Sequence, residues 1–200
     1  MLVVMINNVL AVLRDRLEEV LQSTTPQAER WVLLGNLGGR EGLDLHSTSN
    51  KMVMSLVGLQ SDVSTGTYAQ PSLNGSDWHT STFPPLYLDL YFIVRAEFSE
   101  LNYESALRLL SHIIGYLQET PVFTHVNAPS LPAGMEKLVV EFVSLDFAQQ
   151  SHLMSWTGMK YVPSVLYRVR RLPFAGAAIS QAAPAVRSGG AGDPPGGRAG

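Results

Sequence analysis

Five histidines, His46, His79, His112, His125 and His152, are the side chains of this sequence best suited to proton transfer or metal ligation. They lie far apart and none has metal-ligand spacing, such as a pair four residues apart on a helix. Isolated histidines of this kind read as ordinary surface or core residues, so neither a metal nor a cofactor is expected. Asp77 and His79, with Ser76 and Ser81 beside them, hold the residue types of a nucleophile, a base and its carboxylate. A nucleophile and its base need a rigid frame, and this polar stretch offers solvated turn residues instead. The chain has no cysteine, which removes thiol catalysis and disulfides together. Gly35-Asn36-Leu37-Gly38-Gly39 is glycine-rich but lacks the lysine and following Ser or Thr of a phosphate loop, and it reads as a hairpin turn. No catalytic residue is expected, and the chain is not expected to be an enzyme.

What remains is recognition. Arg168, Arg170 and Arg171 form the basic cluster of the sequence. On the plainer reading they are the solvated face of an edge strand protected from aggregation. On the sharper reading they meet an acidic protein partner at a charged rim. Trp78, an isolated aromatic in a polar stretch, joins them as an expected partner-interface residue. With 14 Lys and Arg against 17 Asp and Glu, and the basic residues scattered, the chain lacks the electrostatic footprint of a nucleic-acid binder. No apolar run is long enough to span a bilayer, so no membrane partner is expected. The opening Met1-Leu2-Val3-Val4-Met5 has no preceding basic residue and no cleavage pattern, so no signal peptide is expected. Assembly in the cytoplasm follows from that reading.

These residues are held by elements that the apolar spacing predicts. Leu86 to Phe98 alternates Leu86, Leu88, Leu90, Phe92, Val94 and Ala96 on one face; Tyr87, Tyr91 and Ile93 make the other largely apolar, interrupted by Asp89 and Arg95. A long central strand covered on both sides is expected, started by Pro84-Pro85. Ile6 to Leu21 repeats apolar residues every three or four positions, an amphipathic helix with Asn7 or Asn8 near its cap. Short strands are expected at Trp31 to Leu34 and Lys51 to Leu59. Asn102 can cap a helix that buries Ala106, Leu109, Leu110, Ile113, Ile114 and Leu117 and ends before Pro121; Val122-Phe123 then leads into a Pro- and Ala-containing loop at Ala128 to Gly134. Lys137 to Leu145 and Pro163 to Leu172 read as strands. Between them Asp146 and Gln149 form a capping box opening a short helix that Gly158 closes. Ser61 to Pro85 reads as one long polar loop, and the residues beyond Pro173 have too few large apolar side chains to order themselves. The result is an α+β domain, a mainly antiparallel sheet with helices packed on it, over residues 1–172, followed by a flexible tail at 173–200.

Several blocks stand here in one order: Ile6-Asn7-Asn8-Val9-Leu10, Pro85-Leu86-Tyr87-Leu88-Asp89-Leu90-Tyr91-Phe92, Asn102 to Ser111, Gln118-Glu119-Thr120-Pro121-Val122-Phe123 and Pro163-Ser164-Val165-Leu166-Tyr167. Together they resemble the N-terminal domain of the cap protein of the Photorhabdus virulence cassette and related extracellular contractile injection systems. The resemblance runs from about Ile6 to Leu172 and departs around Trp156, at Thr157-Gly158-Met159-Lys160. It implies a phage-tail-terminator-like fold. It also implies a structural role, as one member of a homohexameric ring capping the tube and sheath of a released or intracellular particle. The alternative is a ligand-binding or enzymatic module that uses the 61–85 loop.

Overall fold

The structure of the chain, a computed structural model, describes residues 5–37, 49–61, 72–73, 78–80, 86–157, 161–174 and 182–184, without the side chains of 72–73, 78–80, 156–157 and 182–184. Helix α1 (Ile6–Thr24) buries Val9, Leu10, Val12, Leu13, Leu17 and Leu21, the face that the three- and four-residue spacing marks out. Its N-cap is Met5, with extended backbone and no capping side chain. Asn7 and Asn8 sit inside the first turn. Glu18, one turn from Leu21, accepts the backbone N–H of Trp31 (3.1 Å) and of Val32 (2.8 Å) with its two carboxylate oxygens. Trp31 also donates its indole N–H to the Thr25 carbonyl at 2.7 Å. The helix thereby fixes the start of the first strand directly.

That strand, β1 (Val32–Leu34), runs parallel to β2 (Lys51–Ser61), pairing Val32 with Met52 and Leu34 with Met54. The expected hairpin turn at 35–39 is therefore wrong. Parallel strands cannot be joined by a tight turn, and the connection spans residues 35–50, of which 38–48 lie outside the described residues. Gly35 has a different reason to be glycine: its N–H donates to the Met54 carbonyl at 3.0 Å, and a Cβ there would come within 2.8 Å of Val53 Cγ1. The two strands that follow, β3 (Ser72–Leu73) and β4 (Trp78–Thr80), belong to a separate small sheet described below.

Strand β5 (Leu86–Glu97) is the central strand expected. A single 3₁₀ turn (Glu100–Asn102) leads to α2 (Tyr103–Glu119), which buries Ala106, Leu109, Leu110, Ile113 and Leu117, while Ile114 stays exposed. Asn102 is the N-cap residue but makes no capping bond; its side chain instead donates to Asn50 Oδ1 at 3.1 Å and to Ser99 Oγ at 3.2 Å. Then come β6 (Val122–Thr124), β7 (Lys137–Val143), α3 (Phe147–Thr157) and β8 (Ser164–Phe174). Strand β6 takes in Val122-Phe123, ahead of the loop expected at Ala128 to Gly134, where no strand was expected. The capping box at α3 forms as expected: the Gln149 N–H donates to Asp146 Oδ1 at 2.7 Å and the Asp146 N–H to Gln149 Oε1 at 3.0 Å.

The six-stranded sheet has the order β1-β2-β5-β8-β7-β6, antiparallel at every contact except β1-β2. The even-numbered residues of β5 (Leu90, Phe92, Val94, Ala96) join Met52, Met54, Leu138, Val140, Tyr167 and Val169 on one face, where α1 and α2 pack side by side. Phe92 and Tyr167 stack there with centroids 5.7 Å apart. This is an α+β domain of two layers. Strand β8 lies between β5 and β7, so it is not the edge strand expected of the arginine cluster.

The second compact unit takes its described backbone from the 61–85 stretch and the C-terminal segment. Strand β4 pairs antiparallel with β3 and with β9 (Ala182–Pro184), Trp78 opposite Pro184 and Thr80 opposite Ala182. The expectation of a continuous loop and of a tail that cannot order itself does not hold at these eight residues. Backbone pairing needs no large side chain, so alanines suffice to extend a sheet.

Ile113 is fully buried between α2 and the sheet. Replacing it by Ala is expected to cost about 2–5 kcal/mol, and replacing Leu110 somewhat less, because Leu110 lies at the rim of the core. Chemical denaturation reads both, and a wild-type midpoint for Ile113→Ala would show that α2 is not packed there.

Candidate interface on the open face of the sheet

The odd-numbered residues of β5 point away from α1 and α2, and with their register partners they build a second surface. One end is apolar: Val53, Ile93 and Leu166 are buried, and Ile93 and Leu166 line a small cavity with Leu153 and Met154 of α3. Arg95 is buried here too, its guanidinium paired with Glu97 at 2.8 Å, and burial pushes its pKa down while Glu97 pulls it up. The other end is polar. Tyr91 stands opposite Arg168, and Arg168 opposite Glu141, across three adjacent strands.

Glu141 takes Arg168 at 2.6 Å on one oxygen and Arg170 at 3.1 Å on the other. Arg168 also reaches Asp89 at 3.5 Å. Tyr91 donates to Gln60 Oε1 at 3.0 Å, extending the row to β2. The hydrogen bond from Arg168 holds the Glu141 carboxyl below its usual range, with Arg170 adding to the effect; the same bond to Glu141, helped by Tyr91, raises Arg168. Both shifts reinforce the charges already present at neutral pH. The arrangement is a row of fixed, paired charges, suited to electrostatic matching with a partner and not to proton transfer.

Arg171 reaches this surface through a break in the strand. Leu88 pairs with Leu172 and Leu90 with Val169, so the single residue Asp89 faces both Arg170 and Arg171. Arg171 takes φ 52°, its N–H donates to Asp89 Oδ1 at 2.9 Å, and its guanidinium lies 5.3 Å from the centre of the Tyr87 ring. The expected trio of arginines is thus brought together on one face. Trp78 lies in β4 and its side chain is outside the described residues, as are Asp77, Ser76, Ser81 and His46. His112, His125 and His152 belong to α2, the turn after β6 and α3, in three separate places. Among the described residues no group of three His, Asp or Glu could hold a metal ion, and no helix is long and apolar enough to cross a membrane. Tyr87 and Tyr91 lie on the face of β5 that the alternation gave them, but neither they nor Glu141 were expected to join the arginines; their signal was the polar or aromatic alternate position within an apolar strand.

Fold and face define a two-layer α+β protein that presents a rigid charged sheet surface. The profile of the Pvc16 N-terminal domain family matches residues 8–188, and the chain belongs to that family. Two solved structures share its fold. One is the sheath/tube terminator, in the extended state, of the extracellular contractile injection system PVC. Its TM-score is 0.56 at 11% identity, over 100% of this chain and 66% of that one. The other is the tube-terminating cap of the anti-feeding prophage, with TM-score 0.52 at 11% identity, over 93% and 60%. This chain therefore spans less than two thirds of the length of either structure. No curated protein sequence matches it.

Because its folded pKa is lowered, Glu141 contributes stability that is present above the ordinary glutamate value, about 4.3, and lost as pH falls through the folded value. Glu141→Gln is expected to cost about 1 kcal/mol or less at pH 7, as suits a half-exposed pair, and to flatten the loss of stability between neutral and acid pH. Thermal midpoints of the two proteins across that range read the difference; parallel curves would show that the arginines do not hold the carboxylate.

Proposed function

We propose that this chain is a cap subunit that ends the inner tube and sheath of a phage-tail-like contractile injection particle. It acts through protein surfaces and not by catalysis. The match of the Pvc16 N-terminal domain family to residues 8–188 carries this reading. The fold shared with a sheath/tube terminator and with a tube-terminating cap supports it. A six-membered ring is the form that matches the end of such a tube, with tube and sheath subunits as its partners. Assembly takes place in the cytoplasm and the particle is then released or retained.

Within this reading residues 1–172 form the cap domain and 173–200 an appended segment, and the partner interface comprises Trp78, Arg168, Arg170 and Arg171. The three arginines divide the work. Arg168 is held between Glu141 and Asp89 and keeps the face rigid, whereas the more exposed Arg170 and the neighbouring Arg171 meet the partner. Exposed charges of this kind act mainly on encounter rate and salt dependence.

Particles imaged from a strain lacking the protein are expected to have irregular length or unstable sheaths; normal, uniform particles would overturn the cap reading. Changing Arg170 and Arg171 to Gln is expected to weaken co-sedimentation with assembled sheath most at low salt, without lowering the melting temperature appreciably. Unchanged binding across the salt series would remove both arginines from the interface.

A further inference from the structure

Arg95 is 8% exposed and Ser55 1%, and both stand on the face of the sheet opposite α1 and α2. Arg95 opposes Val53 on β2 and Ser164 on β8, while Ser55 opposes Ile93. Ser55 therefore lies diagonally across from Arg95, within reach of a side chain of that length. Around these three polar residues Val53, Ile93 and Leu166 are buried and apolar. A cation set among apolar side chains has to be satisfied by bonds, because water is kept from it.

The bonds of Arg95 are incomplete. Glu97 engages its Nη1 at 2.8 Å. Its Nε–H is buried and makes no hydrogen bond, and neither does the buried Ser55 hydroxyl. Glu97 thus does not occupy the edge of the guanidinium that carries Nε and Nη2, the edge that takes a carboxylate with two parallel bonds. Lys51, the neighbouring base, opposes Glu97 and is already bonded to Glu29 at 2.8 Å. The same face shows what an arginine here takes: Arg168, though more exposed, is held by two carboxylates, Glu141 at 2.6 Å and Asp89 at 3.5 Å. Arg95 has one.

Space adjoins these donors. A cavity of about 120 Å³ beneath α3 is lined by Ile93 and Ser164, the residues opposite Ser55 and Arg95, and by Leu166, Gln150, Leu153 and Met154. A single water needs ~10–15 Å³, so the cavity has room for a small acid. The cover is light: of the described side chains of α3, only Gln150, Leu153 and Met154 are half-buried.

We propose that Arg95, with the Ser55 and Ser164 hydroxyls, forms a carboxylate-binding site under α3, taking a small free acid or an Asp or Glu side chain of a neighbouring chain. The planar fork matches the two oxygens of a carboxylate, and the hydroxyls supply donors for the lone pairs that the fork leaves. Burial works against the charge of Arg95, and a second acid offsets that effect. The site needs neither the ring nor the sheath contact proposed above.

The test follows the Arg95 Nε–H resonance in the isotope-labelled full chain while sodium chloride is exchanged for sodium acetate at fixed ionic strength and neutral pH, and again with N-acetylaspartate amide as the probe. A saturable shift is expected, with affinity reduced several-fold in Ser55→Ala. Saturation by acetate alone assigns a free small acid; saturation that includes the aspartate probe assigns a carboxylate presented on a polypeptide. Arg95→Lys keeps the charge and removes the fork, and it is expected to lose the acetate-dependent rise in Tm of the parent chain. Ser55→Ala, which removes one buried oxygen, keeps the comparison open if Arg95→Lys does not fold. No saturable shift with either probe, or the same affinity in Ser55→Ala as in the parent, would overturn the site.

Discussion

One inserted residue in β8 decides what both faces of the sheet contain. Val165, Tyr167 and Val169 point into the core at alternate positions, so an unbroken strand would send Arg171 and Pro173 inward next. Instead Arg170 and Arg171 together oppose Asp89, and Leu172 and Phe174 resume the core side. The backbone cost of a left-handed arginine is offset locally by the Asp89 carboxylate on its N–H and by the Tyr87 ring under its guanidinium. The same event completes the core below and sets two arginines side by side above. Packing and the charged face are therefore not independent features of this domain.

The charge row itself is built across strands distant in sequence. Glu141 is 27 residues from Arg168, while Asp89 lies 82 residues from Arg171. Each carboxylate restricts an arginine that would otherwise sample many rotamers, and a planar guanidinium held between two acids presents its remaining donors in a fixed direction. Such pairs add little to stability when half-exposed. Their effect is on shape and on the distribution of potential over the surface.

How much of this was legible in the chain follows from what alternation can and cannot report. The spacing in Ile6 to Leu21 and in Ala106 to Leu117 named two buried helix faces, and the period of two in Leu86 to Ala96 named the central strand, because burial on one face leaves a mark at every turn or every second residue. The capping box at Asp146 and Gln149 was equally readable, since both of its bonds are made within four residues. Neighbour relations leave no such mark. Nothing in Val32-Leu33-Leu34 says that it lies parallel to its successor, and nothing in β8 says that it is central. The arginines were found as a cluster in sequence, while Glu141, the carboxylate that organises two of them, sits on another strand and shows only as one acidic residue among valines.

The placement of β8 also bears on when this protein can become itself during synthesis. It is the last strand of the six-stranded sheet to be made and it lies between β5 and β7. Until it is inserted, β1-β2-β5 and β7-β6 are two separate ribbons that share no ladder. The pairing that joins them is non-local, which makes it slow relative to helix formation. Tyr167, which stacks on Phe92 in the core, and Arg168, Arg170 and Arg171 of the opposite face arrive on that one strand. An incomplete chain leaving the ribosome therefore lacks both the joined sheet and the arginine cluster, and β8 acts as a keystone that is in place only once translation has passed residue 174.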